Sequence, residues 1–350
     1  MVQLVEVPRF PGHPPSPGDD GDILGGWHVA LEITQVAELS QRVIEEVERA
    51  VVGKRAGLQT MMAGILSSGG HILLEDYPGL AKTLIANSFA VALGLSFKRI
   101  QFTPDLLPGD ITGGYFFDRG QDRFVLREGP IFAQIILADE VNRASPKTQS
   151  ALLEAMQEYQ VTLEGETLRL PEPFIVIATQ NPIEFEGTFP LPEAQLDRFL
   201  MKLSLGYPSK EKEVEILRRR RERRSDAFAL NAITDAAGLL AMRLAVEEIY
   251  VDADIEGYIV DLVAETRGHR RVAVGASPRG SLALLKLARA WAAMDGRTYV
   301  LPDDVKRFAH LALGHRLIVQ SDLWTVPRAT DGIIDEVLNT VPVPVIQEDI

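Results

Sequence analysis

The sequence predicts an α/β fold: a three-layer core with a parallel sheet, followed by a helical domain. Between residues 71 and 204, short apolar runs alternate with amphipathic segments, which is the pattern of repeated β-α-β units. One run, Ile135 to Ala138, is apolar throughout, as expected of a strand that is buried on both faces of a parallel sheet. Beyond about Pro208 the spacing of apolar residues is helical, and no further strand is needed.

The chain divides into three segments. Residues 1–30 are rich in Pro and Gly and lack apolar periodicity, so we expect a flexible tail. Residues 31–207 form the predicted α/β core, which begins with an amphipathic helix over 36–51 and a second helix over 54–66. Residues 208–350 form the predicted all-helical domain and C-terminal segment.

The elements of the core follow from the alternating pattern. We predict strands over 71–75, 97–102, 134–139, 173–179 and 199–204, with helices beginning near Thr83, Pro146 and Ser209. After the helix over 209–224, further helices are predicted over 230–244, 254–267, 278–293 and 302–313. Two inserts, 113–128 and 159–170, alternate apolar and polar residues around Gly-containing turns, which indicates two β-hairpins.

The composition limits the classes of function. The 350 residues are 46% hydrophobic and 24% charged, as in globular proteins. The formal net charge of −13 opposes nonspecific nucleic-acid binding, because such binding requires Lys and Arg to neutralise phosphates. The absence of Cys excludes disulfides, thiolate catalysis and cysteine-ligated metals. We expect a cytoplasmic location, since the sequence contains neither a signal-peptide pattern nor a membrane-spanning apolar stretch.

The first candidate site follows the first predicted strand. An apolar run leads into a Pro-Gly turn and then into a Lys-Thr pair that opens a helix. Backbone N–H groups and a helix N-terminus form a concave anion site, to which Lys82 adds a positive charge and Thr83 a hydroxyl ligand for Mg²⁺. This arrangement predicts ATP or GTP as cofactor; the alternative is an ordinary strand-turn-helix. The candidate cofactor-binding residues are Tyr77, Pro78, Gly79, Leu80, Ala81, Lys82 and Thr83.

Two residues depart from the strict phosphate-loop pattern G-x-x-x-x-G-K-[ST]. Asp76 occupies the first glycine position and Ala81 the second. Because a carboxylate repels a triphosphate, we expect the Asp76 side chain to turn away or to cap a nearby N–H group. We expect Ala81 to have helical backbone angles, since a left-handed conformation is strained for any residue with a Cβ.

Adjacent carboxylates end the apolar strand at Asp139 and Glu140. Two adjacent carboxylates at the carboxyl end of a buried strand indicate that they bind a cation or take part in catalysis. We expect Asp139 to hold the Mg²⁺ shell and Glu140 to polarise the water that attacks the γ-phosphate. Taken without the phosphate loop, the same pattern also suits a strand followed by a helix-capping acid.

Three further polar side chains are candidate catalytic residues. Asn181 follows a buried strand and is placed to hydrogen-bond the attacking water, although an Asn-Pro turn is the simpler interpretation. Arg198 is either an arginine finger for an adjacent subunit or the partner of Asp197. Arg279 lies in the first turn of a helix, where a cation needs an anion such as a nucleotide phosphate, unless it is exposed to solvent.

These segments together resemble the MoxR family of AAA+ ATPases. The resemblance is carried, in order between residues 69 and 280, by GGHILLEDYPGLAKT, ILADEVNRASPKTQSALLEAMQE, ATQNP, EAQLDRF and GASPRG. It implies ATP and Mg²⁺ as cofactors, an AAA+ core with two hairpin inserts, and a lid domain. The roles it implies are Walker A for Lys82 and Thr83, Walker B for Asp139 and Glu140, sensor 1 for Asn181, the finger for Arg198, sensor 2 for Arg279 and adenine contact for Val52 and Gly53.

The resemblance also implies partners. Relatives of this kind form rings, commonly hexamers, and act as chaperone-like motors on client proteins, often with von Willebrand A-domain partners. One alternative is a nucleic-acid translocase, favoured by the basic run Arg218 to Arg224, which equally suits a solvated helix end. Glu164 and Glu166 near the tip of the second hairpin oppose that alternative. The other alternative is a nucleotide-gated scaffold with little turnover.

Overall fold

The computed structural model describes residues 31–181, 188–323, 326 and 328–344, so the predicted tail at 1–30 lies outside the described residues. The helices are α1 (Ile33–Ala50), α2 (Arg55–Leu66), α3 (Lys82–Ala92), α4 (Pro108–Thr112), α5 (Pro146–Glu158), α6 (Glu193–Leu196), α7 (Lys210–Arg223), α8 (Ala236–Glu247), α9 (Ala253–Gly268), α10 (Pro278–Met294), α11 (Pro302–Leu313) and α12 (Ala329–Thr340). The strands are β1 (Ile72–Glu75), β2 (Phe97–Gln101), β3 (Gly113–Asp118), β4 (Arg123–Glu128), β5 (Ile135–Asp139), β6 (Gln160–Leu163), β7 (Glu166–Arg169), β8 (Ile175–Gln180), β9 (Met201–Leu203), β10 (Val272–Val274) and β11 (Ile318–Val319).

The central sheet has five parallel strands in the order β2-β5-β8-β1-β9. All five were predicted from the sequence, and their observed limits differ from the predicted ones by at most two residues. The phosphate-loop strand β1 lies between β8 and β9, while β5, which carries the twin acids, lies on the other side of β8. The carboxyl ends of β1, β5 and β8 therefore meet at one edge of the sheet.

The core is three-layered because alternate residues of each strand point to opposite faces. On β5, Ile135 and Leu137 pack into an apolar cluster with α1, α2 and α3, whereas Ile136 and Ala138 pack into a second cluster with α5. Buried residues of α8 to α12 belong to the first of these clusters. In particular, α10 packs against α1 and α2, so the helical domain covers that face of the core.

Both predicted hairpins are present. Strands β3 and β4 pair antiparallel, with Phe117 opposite Phe124, and β6 and β7 pair antiparallel around a turn at Glu164 and Gly165. The Tyr115 hydroxyl of the first hairpin donates a hydrogen bond to the Glu166 carboxylate of the second. The two inserts are therefore in contact with each other.

The helical domain differs from the prediction in three details, one of which is that the helix predicted over 230–244 is α8, which begins only at Ala236. The expectation that no strand follows Pro208 is wrong, because β10 and β11 form a short antiparallel pair in which Val272 lies opposite Val319. Strands of three and two residues are too short for an alternating pattern to reveal them. Helix α12 was not predicted. Among the described residues, no helix is both long and apolar enough to span a membrane.

Candidate active site

A cavity of about 500 Å³ lies at the carboxyl ends of β1, β5 and β8. It contains most of the predicted nucleotide residues: its lining is Pro78, Gly79, Leu80, Ala81, Lys82, Thr83, Leu84, Arg99, Asp139, Glu140 and Asn181. The structure therefore brings the Lys-Thr turn, the twin acids and the Asn181 side chain to one place. We refer to this space as the phosphate cavity.

The loop between β1 and α3 has the left-handed angles of a phosphate loop. Gly79 has a φ of +84° and Ala81 a φ of +58°, and α3 begins at Lys82. The expectation that Ala81 has helical angles is therefore wrong, and its Cβ costs about 1–2 kcal/mol in this conformation. Lys82 Nζ donates to the backbone oxygen of Asp76 at 2.6 Å, which folds the ammonium group back over the loop.

The Asp76 side chain turns away from the phosphate cavity and accepts hydrogen bonds from backbone N–H groups after β9, as we expected from the sequence. Its carboxylate is buried and accepts hydrogen bonds from Leu205 N at 2.6 Å, Ser204 Oγ at 2.8 Å and Gly206 N at 3.0 Å. The side chain is thereby held on the segment after β9 and is absent from the lining of the phosphate cavity. This explains how a carboxylate is accommodated at a glycine position of the motif.

Thr179, at the carboxyl end of β8, aligns the twin acids. Its hydroxyl donates to Asp139 Oδ1 at 2.6 Å and accepts from the Glu140 backbone N–H at 2.8 Å. The other carboxylate oxygen of Asp139 accepts from Arg99 on β2, with an Nη2–Oδ2 distance of 2.6 Å. Asp139 is therefore fixed by one neutral and one charged donor.

Glu140 is also held in place. Its backbone is left-handed, with a φ of +56°, and its Oε2 accepts from Gln101 Nε2 at 2.8 Å and from Arg143 Nη1 at 2.9 Å. Sequence reasoning missed Arg99, Gln101 and Thr179. The register of β2 offers a signal for one of them, because it sets Gln101 directly opposite Asp139.

Three predicted nucleotide contacts lie outside the lining of the phosphate cavity. Val52 is buried, Gly53 has its Cα facing the side chain of Lys212 on α7, and Tyr77 stacks on Tyr207 with the ring centroids 5.9 Å apart. A Cβ at Gly53 would meet Lys212 Cγ at 2.7 Å, so this position is restricted to glycine by close packing as well as by its φ of +74°. The adenine contact of Val52 and Gly53 stays a prediction.

Arg198 and Arg279 line a second cavity, of about 250 Å³, which we call the arginine cavity. Its wall also includes His71, Lys286 and Arg316. His71 immediately precedes β1, so the arginine cavity lies at the amino end of the strand whose carboxyl end leads into the phosphate loop. The two cavities are thus separated by the length of β1, about 13 Å for four residues.

The expectation that all these groups surround one triphosphate is therefore not met within a single chain. The reason for Arg279 is the packing of α10 on α1 and α2, which sets the start of α10 beside the amino end of β1. Its charge is partly balanced inside the chain, because Arg279 Nη1 lies 4.0 Å from Oδ2 of Asp197, a carboxylate that Arg316 also engages. The compensating anion that the helix dipole requires is thus a carboxylate of the same chain.

Arg198 does not form the predicted alternative ion pair with Asp197. The Asp197 carboxylate is engaged by Arg316 Nε at 2.8 Å and by the Ser277 hydroxyl at 2.9 Å. Within the described residues, no hydrogen bond or ion pair is formed by the Arg198 side chain, which is half-buried. All donors of the Arg198 guanidinium are therefore available to a group that enters the arginine cavity.

The residues of the phosphate cavity fit a magnesium-bound nucleoside triphosphate. The Thr83 hydroxyl and the Asp139 carboxylate are hard oxygen donors, and Mg²⁺ is usually bound by one or two protein oxygens together with phosphates and water. The start of α3 and the Lys82 ammonium provide the positive potential that the phosphates require. The five-stranded parallel sheet, the phosphate loop and the twin acids together define a P-loop ATPase fold of the AAA+ class.

Comparisons with known proteins agree with this class. The family model for the ATPase family associated with various cellular activities (AAA) matches residues 71–201, and that for the AAA lid domain matches residues 264–337. The chain is 45% identical to the uncharacterized protein YeaC of Bacillus subtilis, over 87% of this chain and 94% of YeaC. It is 42% identical to the chaperone MoxR1 of Mycobacterium tuberculosis, over 95% of this chain and 89% of MoxR1.

A solved structure extends the comparison to three dimensions. The crystal structure of a Cytophaga hutchinsonii protein, whose own assignment as an ATPase is provisional, superposes with a TM-score of 0.84 at 41% identity, covering 90% of this chain and 97% of that one. The chain belongs to the MoxR family of AAA+ ATPases.

Proposed function

We propose that this chain hydrolyses ATP at contacts between neighbouring copies of itself and uses the cycle to remodel client proteins. The observation that carries the proposal is the separation of the two cavities: the phosphate cavity and the arginine cavity lie at opposite ends of β1. A transition state in the first can receive charge stabilisation from the second only if the arginines come from another subunit. Arg198 and Arg279 then act together on a neighbour's nucleotide.

Within the phosphate cavity, each residue has a defined part. The loop from Pro78 to Thr83 and the start of α3 bind the phosphates, while Thr83 and Asp139 hold Mg²⁺. When bound, the metal neutralises charge on the phosphate oxygens. The Glu140 carboxylate, whose bonds to Gln101 and Arg143 are both made by Oε2, accepts a proton from the attacking water, and Asn181 orients that water.

Assembly follows from the same geometry. Each copy presents a phosphate cavity at one edge of its sheet and an arginine cavity at the other, so a ring of copies, a hexamer by resemblance, completes a site at every boundary. A cationic finger at such a boundary typically raises the rate by about 10³–10⁵-fold. The contact therefore makes hydrolysis dependent on assembly.

The first hairpin supports a protein client. Its strands expose Phe116, Phe117 and Phe124, the last to 68% of its possible area. Exposed aromatic side chains are typical of protein-binding surfaces. Between residues 113 and 128, three Arg balance three acids (Asp118, Asp122 and Glu128), so the hairpin lacks the net positive charge that a nucleic-acid backbone requires. A von Willebrand A-domain partner is proposed from the family resemblance.

The basic run on α7 argues further against the translocase alternative. Arg219 pairs with Glu215 and donates to the Glu48 backbone oxygen at 3.0 Å, and Arg220 pairs with Asp226. Arg223 lies over the Phe228 ring, 3.8 Å from its centroid. Three arginines of the run are thus engaged within the chain, as expected of the end of a helix.

Subunit mixing tests the proposed hydrolysis. Glu140→Gln should bind ATP but abolish turnover, whereas Lys82→Ala should weaken binding itself. Arg198→Ala should be inactive alone, and its mixture with Glu140→Gln should recover activity, because the Glu140→Gln subunits supply intact arginines to intact phosphate cavities. Parental turnover by Glu140→Gln, or no recovery at any mixing ratio, would contradict the shared site. ATP binding without turnover in the parental ring would favour the scaffold alternative.

The client class is tested by stimulation of the ATPase. A von Willebrand A-domain protein should raise the rate, and double-stranded or single-stranded DNA should not. Replacing Phe117 and Phe124 together by Ser should remove the stimulation and leave the basal rate unchanged. Stimulation by DNA that survives this double substitution would favour the translocase.

A further inference from the structure

We infer that Arg316 and Asp197 form a clamp that positions the two arginines, Arg198 and Arg279, as one unit; this rests on the proposed function of that pair. Neither clamp residue lines the phosphate cavity of its own chain. Arg316 belongs to the 3₁₀ turn Gly314–Arg316 that follows α11, far along the chain from the segment it contacts. The clamp therefore links the helical domain to the finger.

The Arg316 guanidinium uses all five of its N–H donors, although its side chain is only 3% exposed. Nε donates to Asp197 Oδ1 at 2.8 Å. The two Nη groups reach backbone oxygens, those of Phe199 (2.7 Å), Asp197 (3.2 Å), Leu200 (3.2 Å) and Ala312, and Nη1 also lies 2.9 Å from His315 Nε2. Two of these oxygens belong to Asp197 and Phe199, the neighbours of Arg198, and a third belongs to Leu200, so the planar group fixes the backbone on both sides of the finger.

Asp197 extends the clamp to the second arginine. Its Oδ1 is bound by Arg316, and its Oδ2 accepts from the Ser277 hydroxyl at 2.9 Å and lies 4.0 Å from Arg279 Nη1. Ser277 is the N-cap of α10, where its oxygen also accepts from the backbone N–H of Arg279 at 3.1 Å. The carboxylate thus joins the Arg198 backbone to the first turn of the helix that carries Arg279.

This connectivity has a functional consequence. Charge stabilisation across a subunit contact depends on donors held within about 0.5 Å of the productive position, and long arginine side chains do not provide this alone. Arg198 has no partner of its own among the described residues, so the backbone on either side is the route by which its position is set. Arg316 acts through other residues and is therefore a positioning residue.

The test compares Arg316→Lys with Arg243→Lys, a matched control. Arg243 is an equally buried guanidinium in the helical domain, and it donates to the Ile65 backbone oxygen through Nε (3.0 Å) and Nη2 (2.8 Å), without contact to either arginine of the pair. Lysine lacks the planar fork in both variants. Both substitutions should lower the midpoint of thermal unfolding, so stability is controlled.

At a temperature well below both midpoints, Arg316→Lys should lower kcat at least tenfold. Its KM for ATP and its dissociation constant for a fluorescent ATP analogue should stay within twofold of the parental values, because the phosphate cavity is at the other end of β1. Arg243→Lys should change kcat less than twofold. Mixing Arg316→Lys with Glu140→Gln should restore activity, because the defect affects only the arginines that a subunit contributes to its neighbour's site.

Ser277→Ala provides a second route should Arg316→Lys not fold. It removes the link from Asp197 to α10 and should lower kcat, whereas Ser209→Ala, which removes the N-cap of α7, should not. Equal losses of kcat in Arg316→Lys and Arg243→Lys, or no recovery on mixing, would overturn the clamp. The shared site would still be supported if Arg198→Ala were inactive. An active Arg198→Ala would instead refute the finger itself, and the clamp with it.

Discussion

His71 should make the stability of this protein depend strongly on pH. The buried imidazole bridges three elements at the amino end of β1: its Nδ1 accepts from the backbone N–H of Val176 at 3.0 Å, and its Nε2 lies 3.0 Å from the backbone oxygen of Met156. Because Nδ1 is occupied as an acceptor, the ring must be neutral with its proton on Nε2. Burial, opposed by the bond to Met156 and assisted by the charges of Arg243 and Lys286, lowers the pKa of His71 to about 4.

The sign and size of the effect follow from proton linkage. Below the unfolded-state pKa of 6.5, the unfolded chain binds a proton that the folded chain excludes until pH falls to about 4. The contribution of the neutral ring is therefore complete above pH 6.5 and is lost as pH falls from 6.5 towards 4. With 1.36 kcal/mol per pKa unit, about 2.5 kcal/mol is lost by pH 4.5.

The assay is denaturant unfolding of the parental protein and of His71→Gln at pH 7.5 and pH 4.5. The variant should be less stable at pH 7.5, because one buried hydrogen bond is lost, but that deficit should shrink by about 2.5 kcal/mol at pH 4.5. All other titrating groups are shared, so the difference between the two proteins isolates His71. A deficit that stays constant between the two pH values would refute the reasoning.

Three further predictions concern the phosphate loop and the residues that support it. Asp76→Ala should lower the free energy of unfolding by about 1–3 kcal/mol in denaturant titrations, because the Leu205 N–H and its neighbours lose a buried acceptor; an unchanged midpoint would contradict this. Thr179→Val should raise the Mg²⁺ concentration for half-maximal ATP binding about 10–100-fold, since Asp139 loses a donor that orients it. Ala81→Gly should leave the free energy of unfolding unchanged or raise it by up to about 1 kcal/mol, as relief of left-handed strain offsets the added chain entropy, and a clear loss of stability would show that the strain is absent.

Much of the fold could be predicted because local patterns dictate it. The central strands β1, β5 and β8 are apolar runs that end in polar residues, and both hairpins contain alternating residues around a glycine turn. The pair β10 and β11 could not be found, since it depends on two distant segments that happen to meet. Helix α12 could have been, because Ile333, Ile334 and Val337 are buried at helical spacing.

The parts of the candidate site that lie in contiguous motifs could be predicted from the sequence. The positions that depend on how the helical domain packs on the core were harder to predict. Lys82, Thr83, Asp139 and Glu140 line one cavity because their strands are neighbours in a parallel sheet. The location of Arg279 depends on which face of the core the helical domain covers, and nothing in its local sequence contains that information. The left-handed angles of Ala81 were missed because the turn imposes them against the preference of the residue.

The placement of the phosphate cavity and the arginine cavity at the two ends of β1 would give the proposed assembly a direction. Because the two cavities lie at opposite ends of β1 and not in one patch, a head-to-tail contact satisfies the geometry more simply than a two-fold pair if sites are shared between copies as proposed. A closed ring of n copies would then have n complete sites. In an open arc with one copy missing, the number of complete sites would be one fewer than the number of subunits, because one end subunit has a phosphate cavity without arginines and the other has arginines without a phosphate cavity. The rate of ATP hydrolysis per subunit would consequently show whether the ring is closed.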